Sequence, residues 1–256
     1  MWKAFAIAAA VSFAVAHAQG AELKVFVGGA MTETVSKIGA DFARTSGHRL
    51  DFVSDTTGAL VGKLKAGEKA DVIVVTEAAI DGLQKDGALA QGSRTQLVRA
   101  LVGVGVKAGG TAAPDLSSVD AFKQSLLAAK SVSYVDPKAG GTSGTYFEGL
   151  LARMGIADQM KSKIVYRTQG AGVADAVATG AAELGITFIA ELSPNTGVKI
   201  AGPLPSEIQL PTNYVAAIPN ISVNQDAARA FIQAMTAPRG QAVFRGAGLQ
   251  PLTAAR

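Results

Sequence analysis

Two glycine turns carry the chemistry that this sequence advertises. Gly28-Gly29-Ala30-Met31-Thr32 follows the apolar run Leu23-Lys24-Val25-Phe26-Val27, and Gly140-Gly141-Thr142-Ser143-Gly144 follows Ser131-Val132-Ser133-Tyr134-Val135. A glycine turn that opens a helix leaves backbone N–H groups unpaired, with the positive end of the helix dipole behind them. Anions settle at such places. One turn in each half of the chain suggests two lobes that grip one small anion between them.

The scarce residues narrow the alternatives. There is no cysteine, and histidine occurs only at His17 and His48. Thiolate catalysis and Cys/His zinc sets are therefore excluded. A Ser-His-Asp triad would have to use His48, in the turn Thr45-Ser46-Gly47-His48-Arg49, and no Gly-x-Ser-x-Gly elbow accompanies it. Gly140–Ser143 lacks the Gly-Lys-Ser/Thr ending of a nucleotide phosphate loop. The chain reads as a binding protein without cofactor or metal and not as an enzyme. Carboxylates such as Asp55 and Glu191 leave one enzymatic alternative open.

The elements that must position these turns alternate strand and helix. Strand patterns fall at 23–27, 50–53, 71–75, 132–135, 164–166, 184–188 and 213–218. Helical patterns fall at 32–44, 59–66, 78–85, 120–129, 145–154, 172–179, 226–235 and 240–245, with Gly47 and Gly155 placed as helix stops. Continuous apolar strands separated by helices predict an α/β fold with mostly parallel sheets covered on both faces. Ligands in such folds bind beyond the carboxyl ends of the strands, where both glycine turns lie. The run Leu97–Val106 is long for one strand and carries two glycines, so it reads as a crossing between lobes, with 211–217 as the return. The expected division is lobe I from 19–100 and 214–256, and lobe II from 101–213, with the ligand cleft between them.

Residues 1–18 read as a cleaved signal peptide. Lys3 precedes the apolar stretch Ala4–Val15, and Ala16-His17-Ala18 fits the small-x-small cleavage rule. The expected location is the periplasm. The formal charge of +4 shows no cluster of Lys and Arg interleaved with aromatics, which argues against nucleic acid as a partner. A hydrophobic content of 48% is enough for a generous core.

In this order and spacing the motifs resemble the periplasmic molybdate-binding proteins of ABC transporters, within the type II solute-binding proteins. Val25-Phe26 with Gly29-Ala30-Met31-Thr32-Glu33 is similar to the family's first strand and anion loop, and Thr56-Thr57-Gly58-Ala59-Leu60 to its second. Gly67-Glu68-Lys69-Ala70-Asp71-Val72, Asp136-Pro137 with Thr142–Tyr146, and Gly180–Ile186 with Thr187-Phe188 match further segments. The resemblance implies a two-lobed fold with two crossing strands as hinge. It also implies a monomer, an inner-membrane ABC permease as partner and a small anionic ligand. Its binding positions fall on Ala30, Thr57, Ser143, Val173 and Phe188, flanked by Met31, Thr56, Thr142 and Gly144.

Two of these positions depart from the family. Serine is usual where Ala30 stands, and tyrosine where Phe188 stands; each would offer a hydroxyl to the oxyanion. The sequence also resembles a branch marked by the Gly-Gly-Thr-Ser-Gly turn and by Gly202-Pro203-Leu204-Pro205 with Gln209. We read that branch as one for small organic di- or tricarboxylates, with a molybdate-like oxyanion as the open alternative. One carboxylate would sit on Thr57, another on Thr142 and Ser143, and Arg99 would supply a two-donor fork. A periplasmic receptor that docks on a signalling protein is the alternative from another class.

Overall fold

The computed structural model describes residues 20–110 and 113–252. The signal-peptide reading falls on residues 1–18, outside the described residues. The chain runs β1 (Glu22–Gly28), α1 (Thr32–Ser46), β2 (Arg49–Asp55), α2 (Thr57–Lys65), β3 (Val72–Thr76) and α3 (Glu77–Lys85). It continues through β4 (Thr95–Ala100), β5 (Val102–Lys107), α4 (Val119–Ala128), β6 (Val132–Val135), α5 (Thr142–Arg153) and α6 (Ala157–Met160). Then come β7 (Ile164–Arg167), α7 (Gly170–Thr179), β8 (Leu184–Phe188), α8 (Ile189–Leu192) and β9 (Val198–Pro203). The last elements are β10 (Thr212–Ala217), α9 (Gln225–Thr236), α10 (Pro238–Gly246) and β11 (Gln250–Pro251). A 3-10 turn at Gly29–Met31 leads into α1.

Two sheets form two lobes. The first has the order β11-β4-β10-β3-β1-β2 and the second β7-β6-β8-β5-β9. Each is mixed: β2-β1-β3 and β7-β6-β8 are parallel, as continuous apolar strands with helical crossovers require, while the crossing strands β4, β10, β5 and β9 add on antiparallel. The expectation of mostly parallel sheets counted only the strand–helix–strand units and overlooked the direction of the returning segments.

Period-two alternation explains how β1 and β3 are buried on both faces. Val25, Val27, Val72 and Val74 face the cluster built with Val35, Ile38 and Phe231. Phe26, Ile73 and Val75 face Leu60, Leu64 and Ile80 on the other side. At the amino end of these strands the Asp71 carboxylate accepts from Lys24 N–H (2.9 Å) and from the Ser222 hydroxyl (2.6 Å). It thus ties the entrance of β3 to β1 and to the loop before α9. Helix α1 stops where the sequence says it should, at Gly47 with φ 75°.

The run expected to be one long crossing strand is two strands, broken at Leu101 as it passes from one sheet to the other. Gln209 closes this passage. Its Oε1 accepts from Val102 N–H (3.0 Å) and its Nε2 donates to Val102 C=O (2.9 Å), so one side chain serves as a strand partner for a buried residue. Leu204 N–H also donates to Val102 C=O, at 3.1 Å. Replacing Gln209 by Leu strips Val102 of side-chain partners at the crossing. The expected loss is about 1–3 kcal/mol, read as a lowered Tm in thermal denaturation.

Candidate functional site

The carboxyl ends of β1, β2, β6 and β8 converge on the gap between the lobes, and four helices of nine residues or more begin there. A small cavity of about 20 Å3 is lined by Gly29 before α1, Thr56 and Thr57 at the start of α2, Gly141–Ser143 at the start of α5, and Gln169 and Gly170 at the start of α7. Asp55, Val135, Phe188, Glu191 and Tyr214 complete its wall. Three of these starts, those of the 3-10 turn before α1, of α5 and of α7, have no side-chain cap. Glycine stands at or beside the capping position in each, where Ser or Asp would otherwise close the helix. At α2 the Thr56 hydroxyl caps Ala59 N–H (3.2 Å) and also donates to Ala139 C=O of the other lobe.

The lobes touch across this cavity. Gly58 N–H donates to Gly140 C=O at 3.1 Å, and a Cβ on either glycine would stand 3.0 Å from the other's Cα. A volume of about 20 Å3 holds one or two waters, so a bulkier guest enters only if the lobes part. Gly58→Ala should favour α2 by its helix propensity, about 1 kcal/mol, yet wedge a methyl group into the interlobe contact. The expected result is an unchanged or raised Tm with ligand affinity lowered about tenfold in titration calorimetry.

No Lys or Arg lines the cavity, so any attraction for an anion must come from the helix starts. Two carboxyl groups face it instead. Asp55 accepts from Thr56 N–H at 2.8 Å. Glu191, in the first turn of α8, fits into space left by two glycines, because a Cβ at Gly29 or Gly170 would overlap its carboxylate. Burial pushes the Glu191 carboxyl up to about 7, although the Thr187 hydroxyl and the Phe188 N–H both favour its charged form. Burial, and then the Glu191 charge, raise the Tyr214 phenol well above the ordinary range.

A hydroxyl chain links this carboxyl to the start of α5. Thr187 Oγ1 donates to Glu191 Oε2, and Ser143 Oγ lies 3.1 Å from Thr187 Oγ1. A threonine hydroxyl has one proton. With Glu191 charged, Thr187 spends that proton on the carboxylate, so Ser143 must turn its own proton toward Thr187. With Glu191 protonated the chain can reverse, and Ser143 points its proton at the cavity.

The residues expected at the site divide. Thr56, Thr57, Thr142, Ser143 and Phe188 line the cavity together. Ala30 and Met31 do not; they are 3% and 0% exposed in the core, and Gly29 takes the wall position. Val173 is buried one turn into α7 behind Gln169 and Gly170, against Gly185. Gly144 lets α5 press against the Val135 carbonyl and is not in the wall. Arg99 is the clearest correction. It sits on the outward face of β4, exposed, donating to Asn213 Oδ1 at 3.2 Å, while Asn213 donates to Glu77 at 2.9 Å. That network lies outside the cavity, so Arg99 does not supply the fork.

Tyr214 was missed, because Asn213–Ile218 reads simply as a returning strand. It packs edge-on against Phe188 with centroids 5.9 Å apart. Its hydroxyl has no hydrogen-bond partner among the described residues, although the residue is only 2% exposed. A phenol thus stands beside the position where the family resemblance led us to expect one. His48 has a structural role: its Nδ1 accepts from Ala21 N–H at 2.9 Å and its ring stacks on Phe42.

Two mixed α/β lobes joined by crossing strands, with uncapped helix starts converging in the gap, define the two-lobed solute-binding fold. The family described as bacterial extracellular solute-binding protein matches residues 23–250, and the chain belongs to that family. Its relatives include aconitate isomerase from Pseudomonas sp, 31% identical over 238 residues, covering 91% of this chain and 88% of that protein. The molybdate-binding protein ModA of Azotobacter vinelandii is 28% identical over 244 residues, covering 91% and 92%. Among solved structures, the Azotobacter vinelandii periplasmic molybdate-binding protein superposes with a TM-score of 0.73 at 22% identity, over 91% of this chain and all of that one. By family the protein is an extracellular solute-binding protein, and two of its relatives are named as molybdate-binding.

Glu191 also makes a stability prediction. Its carboxyl is raised in the fold, so the charged form opposes folding. Stability is unaffected well below the ordinary value of 4.5, declines as pH rises from 4.5 to about 7, and levels off above that. Glu191→Gln should therefore match the wild type at pH 4 and be more stable at pH 8, by up to about 3 kcal/mol. Paired denaturation curves at the two pH values check this.

Proposed function

We propose that this protein captures a small organic di- or tricarboxylate in the periplasm and delivers it to an ABC-type permease of the inner membrane. Capture works by closure of lobe I (19–100 and 214–256) on lobe II (101–213) about the crossings beside Val102 and Gln209. Carboxylate oxygens accept from N–H groups at the 3-10 turn before α1 and at the starts of α5 and α7, with Thr57, Thr142, Ser143 and Tyr214 adding hydroxyls. In a closed, water-poor gap such charge-assisted bonds are at their strongest.

The observation that carries the reading is the pairing of uncapped helix starts from both lobes with two carboxyl groups and no cationic side chain in one cavity. A compact dianionic oxyanion would gain nothing from Ala30 or Phe188, which bring no hydroxyl. A flexible polycarboxylate can place one group on each lobe. The relative named aconitate isomerase supports an organic acid, since its named substrate is an unsaturated tricarboxylate. The molybdate-binding relatives make the tetrahedral oxyanion the competing ligand.

Titration calorimetry with citrate, cis- and trans-aconitate, succinate, sulfate, molybdate and tungstate tests the proposal. A di- or tricarboxylate should bind at micromolar Kd or tighter, and molybdate at least a hundredfold more weakly; the opposite order overturns the carboxylate reading. The affinity should also depend on pH with a definite sign. A bound anion raises the Glu191 carboxyl further, so the complex holds more protons than the free protein. Affinity is then greatest below about 7 and weakens above it, by up to about tenfold per pH unit. Glu191→Gln should flatten this dependence between pH 7 and 9.

A further inference from the structure

Glu191 is placed for more than holding an anion. It lies in the wall of the closed cavity and also in the wall of a second, open cavity of about 560 Å3 that shares Gly29, Gln169 and Gly170 with the first. It therefore borders both the gap between the lobes and a cavity open to solvent. Its Oε2 is fixed by Thr187, and its backbone anchor is the Phe188 N–H. The groups facing it are Tyr214 from β10, Asp55 from the end of β2, and, across the open cavity, Glu33 of α1 and Asp175 of α7. Neither cavity is lined by a Lys or Arg that would lock it as a carboxylate.

We propose that Glu191 is a general base and acid that moves a proton between two carbons of a bound unsaturated di- or tricarboxylate. The inference rests on the carboxylate-binding reading above. The Glu191 carboxylate removes a proton from a carbon that lies between the ligand's C=C bond and one of its carboxylates. The electrons of that C–H bond form the new C=C bond, and the charge spreads onto the carboxylate oxygens. Glu191, now a carboxylic acid, returns the proton to the far carbon of the original double bond, using that bond's electron pair. The double bond has moved by one carbon, every atom is conserved, and no oxidant, reductant or cofactor is needed.

The surroundings suit this step. Negative charge grows on carboxylate oxygens that face helix N–H groups already oriented toward them, which stabilises the transition state without reorganisation. Closing the lobes excludes water that would intercept the intermediate. A carboxyl whose two forms are balanced near neutral pH can both take and return a proton.

The test incubates the full-length mature protein with trans-aconitate, and separately with cis-aconitate, in D2O and follows the ligand by proton NMR. Binding is measured in parallel by calorimetry at pH 6, where Gln mimics the protonated carboxyl. The wild type should incorporate deuterium into the ligand and shift its double bond. At saturating ligand the rate should rise as pH passes upward through the carboxyl's range. Glu191→Gln should bind within about threefold of wild type while exchange falls at least a hundredfold. Wild-type binding without exchange overturns the inference and leaves the capture function standing. Exchange by Glu191→Gln at the wild-type rate overturns the role of Glu191. If none of the carboxylates binds, the capture reading fails and takes this inference with it.

Discussion

The structure depends on unpaired backbone N–H groups at helix starts that the sequence declines to cap. A helix start buried without a partner is costly, and here three of them open into one cavity between the lobes. Ser118 closes α4 by accepting from Ala121 N–H, while α3, α9 and α10 go without a side-chain cap as well. What sets the gap apart is glycine: Gly28 caps the 3-10 turn before α1, Gly141 caps α5, and Gly170 opens α7. On the proposed reading an anionic guest partners these starts. This accounts for an anion site whose walls carry no Lys or Arg.

The same glycines let the two lobes and the Glu191 carboxyl come close. Gly58 and Gly140 permit backbone contact across the gap, and Gly140 also needs its left-handed conformation, with φ of 73°. Gly29 and Gly170 leave the room that Glu191 occupies. On the proposed reading, closure, anion recognition and proton chemistry share a handful of positions where an added Cβ would press on the other lobe or on Glu191. On that reading the carboxyl opposes the anion when charged and assists it when protonated, through Thr187 and Ser143. One group thereby couples ligand charge to proton uptake.

Much of the fold was legible because β1, β3, β6 and β8 are short apolar runs between turn residues, and such runs suit strands buried on both faces. Strands 132–135 and 184–188 were read with their exact limits. The misses have physical causes. Helix α5 begins at Thr142, not Thr145, because Gly141 serves as its start, which puts Thr142 and Ser143 inside the first turn. Helix α8 and strand β9 are too short or too irregular for periodicity to show. Arg99 was misplaced because alternation along β4 turns it outward while Val98 and Ala100 turn in. Tyr214 obeys the same alternation on β10, but only the pairing of β10 with β3 brings it to the gap. Of the expected residues that line the cavity, Thr56-Thr57 and Thr142-Ser143 are announced by a local turn, and Phe188 came from the family resemblance. Tyr214 and the close setting of Glu191 arise from contacts distant in sequence.

A crystal structure of the protein with a bound tricarboxylate tests the central claim most directly. The account predicts one carboxylate against the starts of α2 and α1 and another against those of α5 and α7, with Tyr214 and Ser143 in hydrogen-bond contact and Glu191 beside the carbon chain. A ligand held outside this gap by Lys and Arg side chains, with the three uncapped helix starts facing only water, would contradict it.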